Sequence, residues 1–283
     1  MQNSHTQWRI DFARHLAERL LAFEGIKAIV IAGSVARDYA DAYADLEIPI
    51  FWETLPDDAT RHAIVAALDA SFLYAYDGPA CEDQLMIGGF QVDLWHISVA
   101  HQDAILEDVL HNYHFDLSRL NALDTIRSCI PLYGAEIVQN WKRRAREYPD
   151  ALAEQIIREH LNLFSVADLF VLAQRNNPTA FYAQLSFLQQ EVFLVLLALN
   201  RSYFPTFKWL YQALDSMPVK PAAIGKRFRQ AFEGSRQDAL IDTKQFLQET
   251  RQLVEKQFPL IDLAPIYRRL AYVRAAHQRP LQR

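Results

Sequence analysis

Residues 26–52 read IKAIVIAGSVARDYADAYADLEIPIFW. The apolar run 29–32 delivers the chain into Gly33-Ser34, and a second alternating run opens at Asp45-Leu46-Glu47-Ile48 and continues through Ile50 and Phe51. The pattern predicts a strand, a tight turn and a second strand. Side chains at i and i+2 of a strand share a face, so Asp45 and Glu47 stand side by side while Leu46 and Ile48 face the other way. Two adjacent anions repel unless a positive charge lies between them.

A hard divalent cation is the usual partner, because Mg2+ takes oxygen ligands and is often held by one or two carboxylates together with substrate phosphates. Gly33 and Ser34 suit the phosphate end of such a site. A glycine at a strand exit lets backbone approach a ligand closely, and Ser34 offers a hydroxyl and a backbone N–H at the start of a short helix, where anions are favoured. A third carboxylate follows in GGFQVDLWHIS, residues 88–98, where Asp93 alternates with Val92 and Leu94 after the Gly88-Gly89 turn. That segment predicts a hairpin whose second strand points one acid at the same cation.

Gly33-Ser34, the ten-residue spacing to Asp45-x-Glu47, and Asp93 on a later strand together resemble the signature of the DNA polymerase β-like nucleotidyltransferase superfamily. Within it, GSVARDYADAYADLEIPIFW, the VDLW around Asp93 and the later ALNRSYFPTFKWL are similar to a DUF4037-like bacterial branch related to the aminoglycoside and lincosamide nucleotidyltransferases. One position departs from the pattern: Glu47 stands where the family more often has Asp, one methylene shorter. The resemblance implies a metal-dependent nucleotidyltransferase that moves an NMP, AMP first, from Mg2+-bound ATP or another NTP to a hydroxyl of a small-molecule acceptor such as an antibiotic. In that scheme Asp45, Glu47 and Asp93 are the metal ligands. Asp93 either completes a second metal site or accepts the proton of the attacking hydroxyl. Gly33, Ser34, Arg37 and Lys208 bind the nucleotide. In the antibiotic-modifying relatives an acid on the second domain's helices acts as base or binds the acceptor's amines, and Glu191, on an otherwise apolar helix, is the candidate here.

Length and composition agree. A chain of 283 residues exceeds one ordinary domain, and 51% hydrophobic residues supply ample core. The formal charge of −5 argues against a long nucleic-acid track, which runs on surplus Lys and Arg, whereas a compact nucleotide site needs only a few local cations. The two cysteines, Cys81 and Cys129, lack CxxC spacing, which suits a reducing cytoplasm without structural zinc, and both read as small buried hydrophobes. The chain shows no charged-then-apolar leader, and its longest apolar run, 192–199, is too short to cross a bilayer. The expectation is a cytoplasmic protein, monomer or homodimer, with no membrane partner.

In chain order, apolar spacing predicts a helix over 6–23 ending at Gly25, strands over 26–32 and 44–52, a helix over 57–72 behind Pro56, and a hairpin of 83–87 with 90–98. From His101 onward strand signals nearly vanish and apolar residues recur at helical spacing. Asn176-Asn177-Pro178 interrupts the pattern, 179–200 resumes as a strongly apolar helix, and amphipathic helices finish at 244–258 and 266–277. The fold class is α+β: an N-terminal nucleotidyltransferase domain with a small mixed sheet over 1–133, then an all-helical substrate-binding domain over 134–283.

Several side chains carry two readings. Arg37, just past Ser34, faces the triphosphate or forms an ordinary ion pair. Lys208 touches phosphate, and Tyr203 or Trp209 stacks a base or packs in the core. An unpaired buried acid is costly, so Glu191 requires a cation, a hydrogen bond or a cleft. His96, three residues past Asp93, falls on the opposite strand face and reads as a core or surface histidine. His111 and His114 sit at i and i+3 of an expected helix, but no carboxylate or cysteine set completes a zinc site. The basic run 142–146 spreads around a helix and reads as a solvated face, with a tRNA-like acceptor as the alternative. Besides the small-molecule enzyme, two further functions stand: nucleotidylation of a protein or an RNA end, and a nucleotide-binding pseudoenzyme, for which Glu47 is the supporting feature.

Overall fold

In the computed structural model, which describes residues 4–74, 82–272 and 274–276, the chain opens with α1 (Ser4–Leu20), whose Ile10, Ala13, Leu16, Ala17 and Leu20 are buried. It continues through β1 (Ile26–Ile31), the short α2 (Gly33–Ala36), β2 (Leu46–Trp52), α3 (Asp58–Ala67), β3 (Ser71–Phe72), β4 (Glu82–Ile87) and β5 (Phe90–Ser98). Then follow α4 (Val99–Leu110), α5 (Leu117–Ser128), β6 (Ile130–Tyr133) and α6 (Ala135–Arg146). Among the described residues these strands form one six-stranded sheet in the order β3-β4-β5-β2-β1-β6. β2 and β5 run parallel and the other neighbours antiparallel, so the sheet is mixed, as the sequence predicts. One face, carrying Ile29, Ile31, Leu46, Ile48, Ile50, Val92 and Leu94, shares a core with α1 and with Ile64 and Val65 of α3.

The chain divides after Glu147, and 148–283 form a second, helical unit. Its helices are α7 (Asp150–Leu161), α8 (Ala167–Gln174), α9 (Pro178–Leu199), α10 (Leu210–Ser216) behind a 3-10 turn (Phe207–Trp209), α11 (Ile224–Glu233), α12 (Arg236–Gln257) and α13 (Ala264–Ala271). Asn177 caps α9, its side-chain oxygen accepting from Ala180 N–H at 3.1 Å, and Pro178 occupies the first turn, where a missing N–H costs nothing. Among the described residues α9 is the one helix long and apolar enough to cross a membrane by length and composition, and 67% of that window is buried inside the protein. Such burial is that of a central core helix, against which α7, α8 and α12 pack.

Several elements differ from expectation. The helix expected over 57–72 ends at Ala67, because Asp69 adopts a left-handed φ of 51° and the N–H of Ala70 closes on Val65 O at 3.0 Å, leaving Ser71 and Phe72 to pair with β4. The strand expected from Ala44 begins at Leu46, which puts Asp45 at its entrance. β6 lies in the region expected to be helical; Pro131 interrupts its pattern, as an edge strand tolerates. α6 belongs to the first unit, so the division falls later than the expected boundary at 133/134. Gly134 makes this packing possible: its φ is +67°, and a Cβ there would stand 2.1 Å from Lys27 O and 2.8 Å from Ala28 Cα in β1. α4 ends at Leu110, so His111 and His114 lie past it rather than along it. The basic run of α6 is dispersed, with Lys142 donating to Cys129 O, Arg143 to Asn140 and Arg144 to Asp103. Cys129 is buried, and desolvation pushes its thiol up to about 11. α13 ends at Ala271; Cys81 and His277 lie outside the described residues.

Candidate active site

β1 exits into Gly33, and the N–H of Ala32 donates to Glu47 O at 2.9 Å, fastening the turn to β2. Gly33 has φ +60°, and a Cβ built on it would fall 1.2 Å from Glu47 Oε2 and 2.1 Å from its Cδ. The Glu47 carboxylate therefore occupies the space that any larger residue at 33 would need. Ser34 is buried at 2% exposure, and among the described residues neither its Oγ nor the buried Asp45 Oδ1 has a hydrogen-bond partner. Buried polar atoms are usually bonded, so two orphans beside one turn mark a place prepared for something else.

Glu47 and Asp93 are direct register partners in the parallel pair of β2 and β5, so their side chains share a face on strands about 4.8 Å apart. Gln91, two residues before Asp93 on that face, donates its amide to Asp93 Oδ1 at 3.1 Å and Oδ2 at 3.4 Å. The acids fit a hard cation in kind, all of them oxygen donors on or beside neighbouring strands. They are not drawn into a cage: among the described residues no group of three or more His, Cys, Asp or Glu side chains is gathered to hold an ion. Glu47 lies over Gly33 while Asp93 is engaged by Gln91. Ser34 Oγ, Asp45 Oδ1 and the Glu47 carboxylate form the oxygen set best suited to a metal–phosphate ligand, which needs only one or two carboxylates from the protein.

Sequence reasoning missed Arg9. Its guanidinium is buried and donates from Nε to Ala44 O at 3.1 Å, from Nη2 to Asp41 O at 3.0 Å and Ala44 O at 2.6 Å, and from Nη1 to His5 O at 2.7 Å. It thereby staples the loop that delivers Asp45. Burial holds its pKa below the ordinary arginine value against the opposing pull of Asp41 and Asp45. The signal was present: Arg9 lies on the same helical stripe as Ala13, Leu16 and Leu20, where a charge needs a structural reason. Arg37 is found in an ion pair with Asp124, Nε to Oδ2 at 3.1 Å with Nη2 closer still, and its Nη1 donates to Gly33 O at 2.8 Å. It thus braces the turn from behind. Burial raises the Asp124 carboxyl above its usual range, opposed by Arg37 and Arg127.

The opposite face of β5 carries His96, which is buried as one of its readings required. Trp52 Nε1–H donates to His96 Nδ1 at 3.1 Å, which fixes the other nitrogen as donor to Asp83 Oδ2 at 2.9 Å. Arg61 of α3 completes the chain, reaching Asp83 at 3.1 Å from Nε and 2.5 Å from Nη2. Burial works to raise the Asp83 carboxyl, and the hydrogen bonds from His96 and Arg61 outweigh it, leaving the carboxyl below its usual range.

Glu191 and Lys208 belong to the second unit. Glu191 is buried on α9, and its Oε2 pairs with His160 Nδ1 of α7 at 2.8 Å, the hydrogen bond that a buried acid there required. Lys208 is exposed, its Nζ 5.3 Å from the Trp209 ring. Tyr203 is buried against Tyr148 with ring centroids 4.8 Å apart, so it packs in the core and is not presented to a base. Arg201 pairs with Asp150 at 2.6 Å.

The family described as a domain of unknown function (DUF4037) matches residues 129–210, a span that includes ALNRSYFPTFKWL and excludes the acids of β2 and β5. No curated protein matches the chain. Among solved structures, the chain is similar to a nucleotidyltransferase-like protein from Exiguobacterium sibiricum 255-15, at 13% identity and a TM-score of 0.41, covering 89% of this chain and 81% of that one.

Proposed function

We propose that the protein is a metal-dependent nucleotidyltransferase that transfers an NMP, AMP first, from an Mg2+-bound NTP to a hydroxyl of a small-molecule acceptor. The observation that carries this reading is the turn itself: a positive-φ Gly33 whose missing Cβ leaves room for the Glu47 carboxylate, beside the buried, unbonded Ser34 Oγ and Asp45 Oδ1. Ser34 Oγ–H donates to a phosphate oxygen, and the glycine lets the phosphate approach the backbone. Asp45 and Glu47 would hold Mg2+, which when bound neutralises charge developing on the departing pyrophosphate. Asp93, oriented by the Gln91 amide, takes the proton of the acceptor hydroxyl at a carboxylate oxygen. The acceptor oxygen bonds to the α-phosphorus as the bond to the pyrophosphate oxygen breaks. Arg9 and Arg37 hold the loop and the turn in place without touching substrate.

The reading is tested by calorimetric titration with ATP, GTP, CTP and UTP, each with Mg2+ and with EDTA, beside Asp45→Asn. Magnesium-dependent binding of one nucleotide, abolished in the variant, is expected. Equal binding with EDTA would leave a pseudoenzyme, and no binding by any of the four would overturn the proposal.

A further inference from the structure

The second unit carries a groove of its own along one stripe of α12. Gln237, Leu240, Ile241, Lys244, Gln248 and Arg251 recur at helical spacing, so they share one side of the helix over about 21 Å. Two cavities open on this stripe and have Lys244 in common. Toward the N-terminal end of α12, Val166, Phe170 and Tyr272 join Leu240 and Ile241 around a largely apolar chamber of about 220 Å³. Toward its C-terminal end, Tyr267, Leu270 and Ala271 of α13 face Lys244, Gln248 and Arg251 around a second chamber of about 380 Å³. Together the chambers fall within the roughly 300–1,000 Å³ of small-molecule sites.

The charges that line this groove are of one sign, since no Asp or Glu is among the described residues of either wall. Lys244 has no ion pair or hydrogen bond among the described residues. Arg251 is only 6% exposed, with its guanidinium carbon 3.7 Å from the centre of the Tyr267 ring. One acceptor among the described residues answers its fork of N–H donors, Glu255 Oε2 at 3.4 Å, and that exposed carboxylate also takes the Tyr267 hydroxyl. A buried guanidinium calls for more acceptors than this.

We infer that the groove binds an amphipathic anion, a carboxylate on an apolar body. The apolar chamber takes the body, and Lys244 and Arg251 take the head, the planar fork of Arg251 matching a carboxylate and Lys244 adding a point charge. The order of the chambers along α12 sets the ligand's direction, with its apolar end toward α8 and its charge toward α13. A cation of the same shape is repelled by both side chains, and a bare anion leaves the apolar chamber unfilled. The inference needs nothing of the transferase reading, because every lining residue belongs to the second unit.

The probe is octanoate, titrated calorimetrically to about 10 mM into the full chain beside acetate and octylammonium. Saturable binding of octanoate is expected, at least about tenfold tighter than that of either control. Lys244→Gln removes the charge and keeps most of the stem, and should weaken octanoate roughly tenfold, with Lys244→Arg restoring it. Ile241 is 58% exposed, so Ile241→Asp should leave the melting temperature unchanged while its new acid in the apolar chamber abolishes binding. Absence of saturable octanoate binding, an unchanged affinity in Lys244→Gln or in folded Ile241→Asp, or octylammonium bound as tightly would overturn the inference. Octanoate binding without magnesium-dependent nucleotide binding would sink the transferase reading alone, and the reverse would sink the groove alone.

Discussion

The two faces of β5 differ in how they treat their polar groups. Toward α1 and α3, Val92 and Leu94 pack in the core and the polar groups answer one another, from the Trp52 indole through His96 and Asp83 to Arg61. On the other face, Gln91, Asp93 and Trp95 alternate with them, opposite Glu47 and near the unbonded Ser34 Oγ and Asp45 Oδ1. A closed buried network contributes to holding one structure, whereas open donors and acceptors cost stability until a ligand meets them. One strand therefore separates a closed polar network from a face whose polar groups stand open.

Substitutions on the closed face should cost most. Asp83→Asn leaves the Arg61 charge buried without its partner and should destabilise by about 3–5 kcal/mol, read as a fall in melting temperature. The contribution is pH-dependent in a definite direction. The folded carboxyl titrates below its unfolded value of about 3.9, so its stabilisation is complete above that pH and disappears as pH falls through the folded value. Acid titration of Asp83→Asn should lack that loss. Trp52→Phe removes the donor to His96 Nδ1 and should cost about 1–3 kcal/mol in a denaturant midpoint. Gly33→Ala stands between the faces: its left-handed backbone costs roughly 1–2 kcal/mol, and the new methyl must displace the Glu47 carboxylate, so nucleotide binding should fail in a protein that still folds. Asp45→Asn should change the melting temperature least, about 1 kcal/mol or less in either direction, while removing magnesium-dependent binding. If Asp45→Asn proved as destabilising as Asp83→Asn, the contrast between the faces would collapse.

Much of this contrast was legible in the chain. Alternation over 90–98 marked β5 from end to end and assigned Asp93 and His96 to opposite faces, because a strand's period fixes the side of every residue once its register is known. The turn and its acids were legible for the same reason. What covers a face was not. Nothing in the sequence announces that Arg61 meets Asp83 across the unit. Glu191 showed that a buried acid needed a partner, but not that His160 supplies it from another helix. β6 was lost to its shortness and to Pro131, and Arg9 to the habit of reading charges as solvated.

The most direct test of the account is backbone hydrogen exchange of the full chain with and without magnesium and the nucleotide that binds. The account predicts that added protection concentrates in 32–37, 45–48 and 91–95, the turn and the two acid-bearing strand segments, and that it vanishes in Asp45→Asn. Protection confined to the second unit, or spread along the Trp52–His96–Asp83 side and retained in that variant, would contradict it.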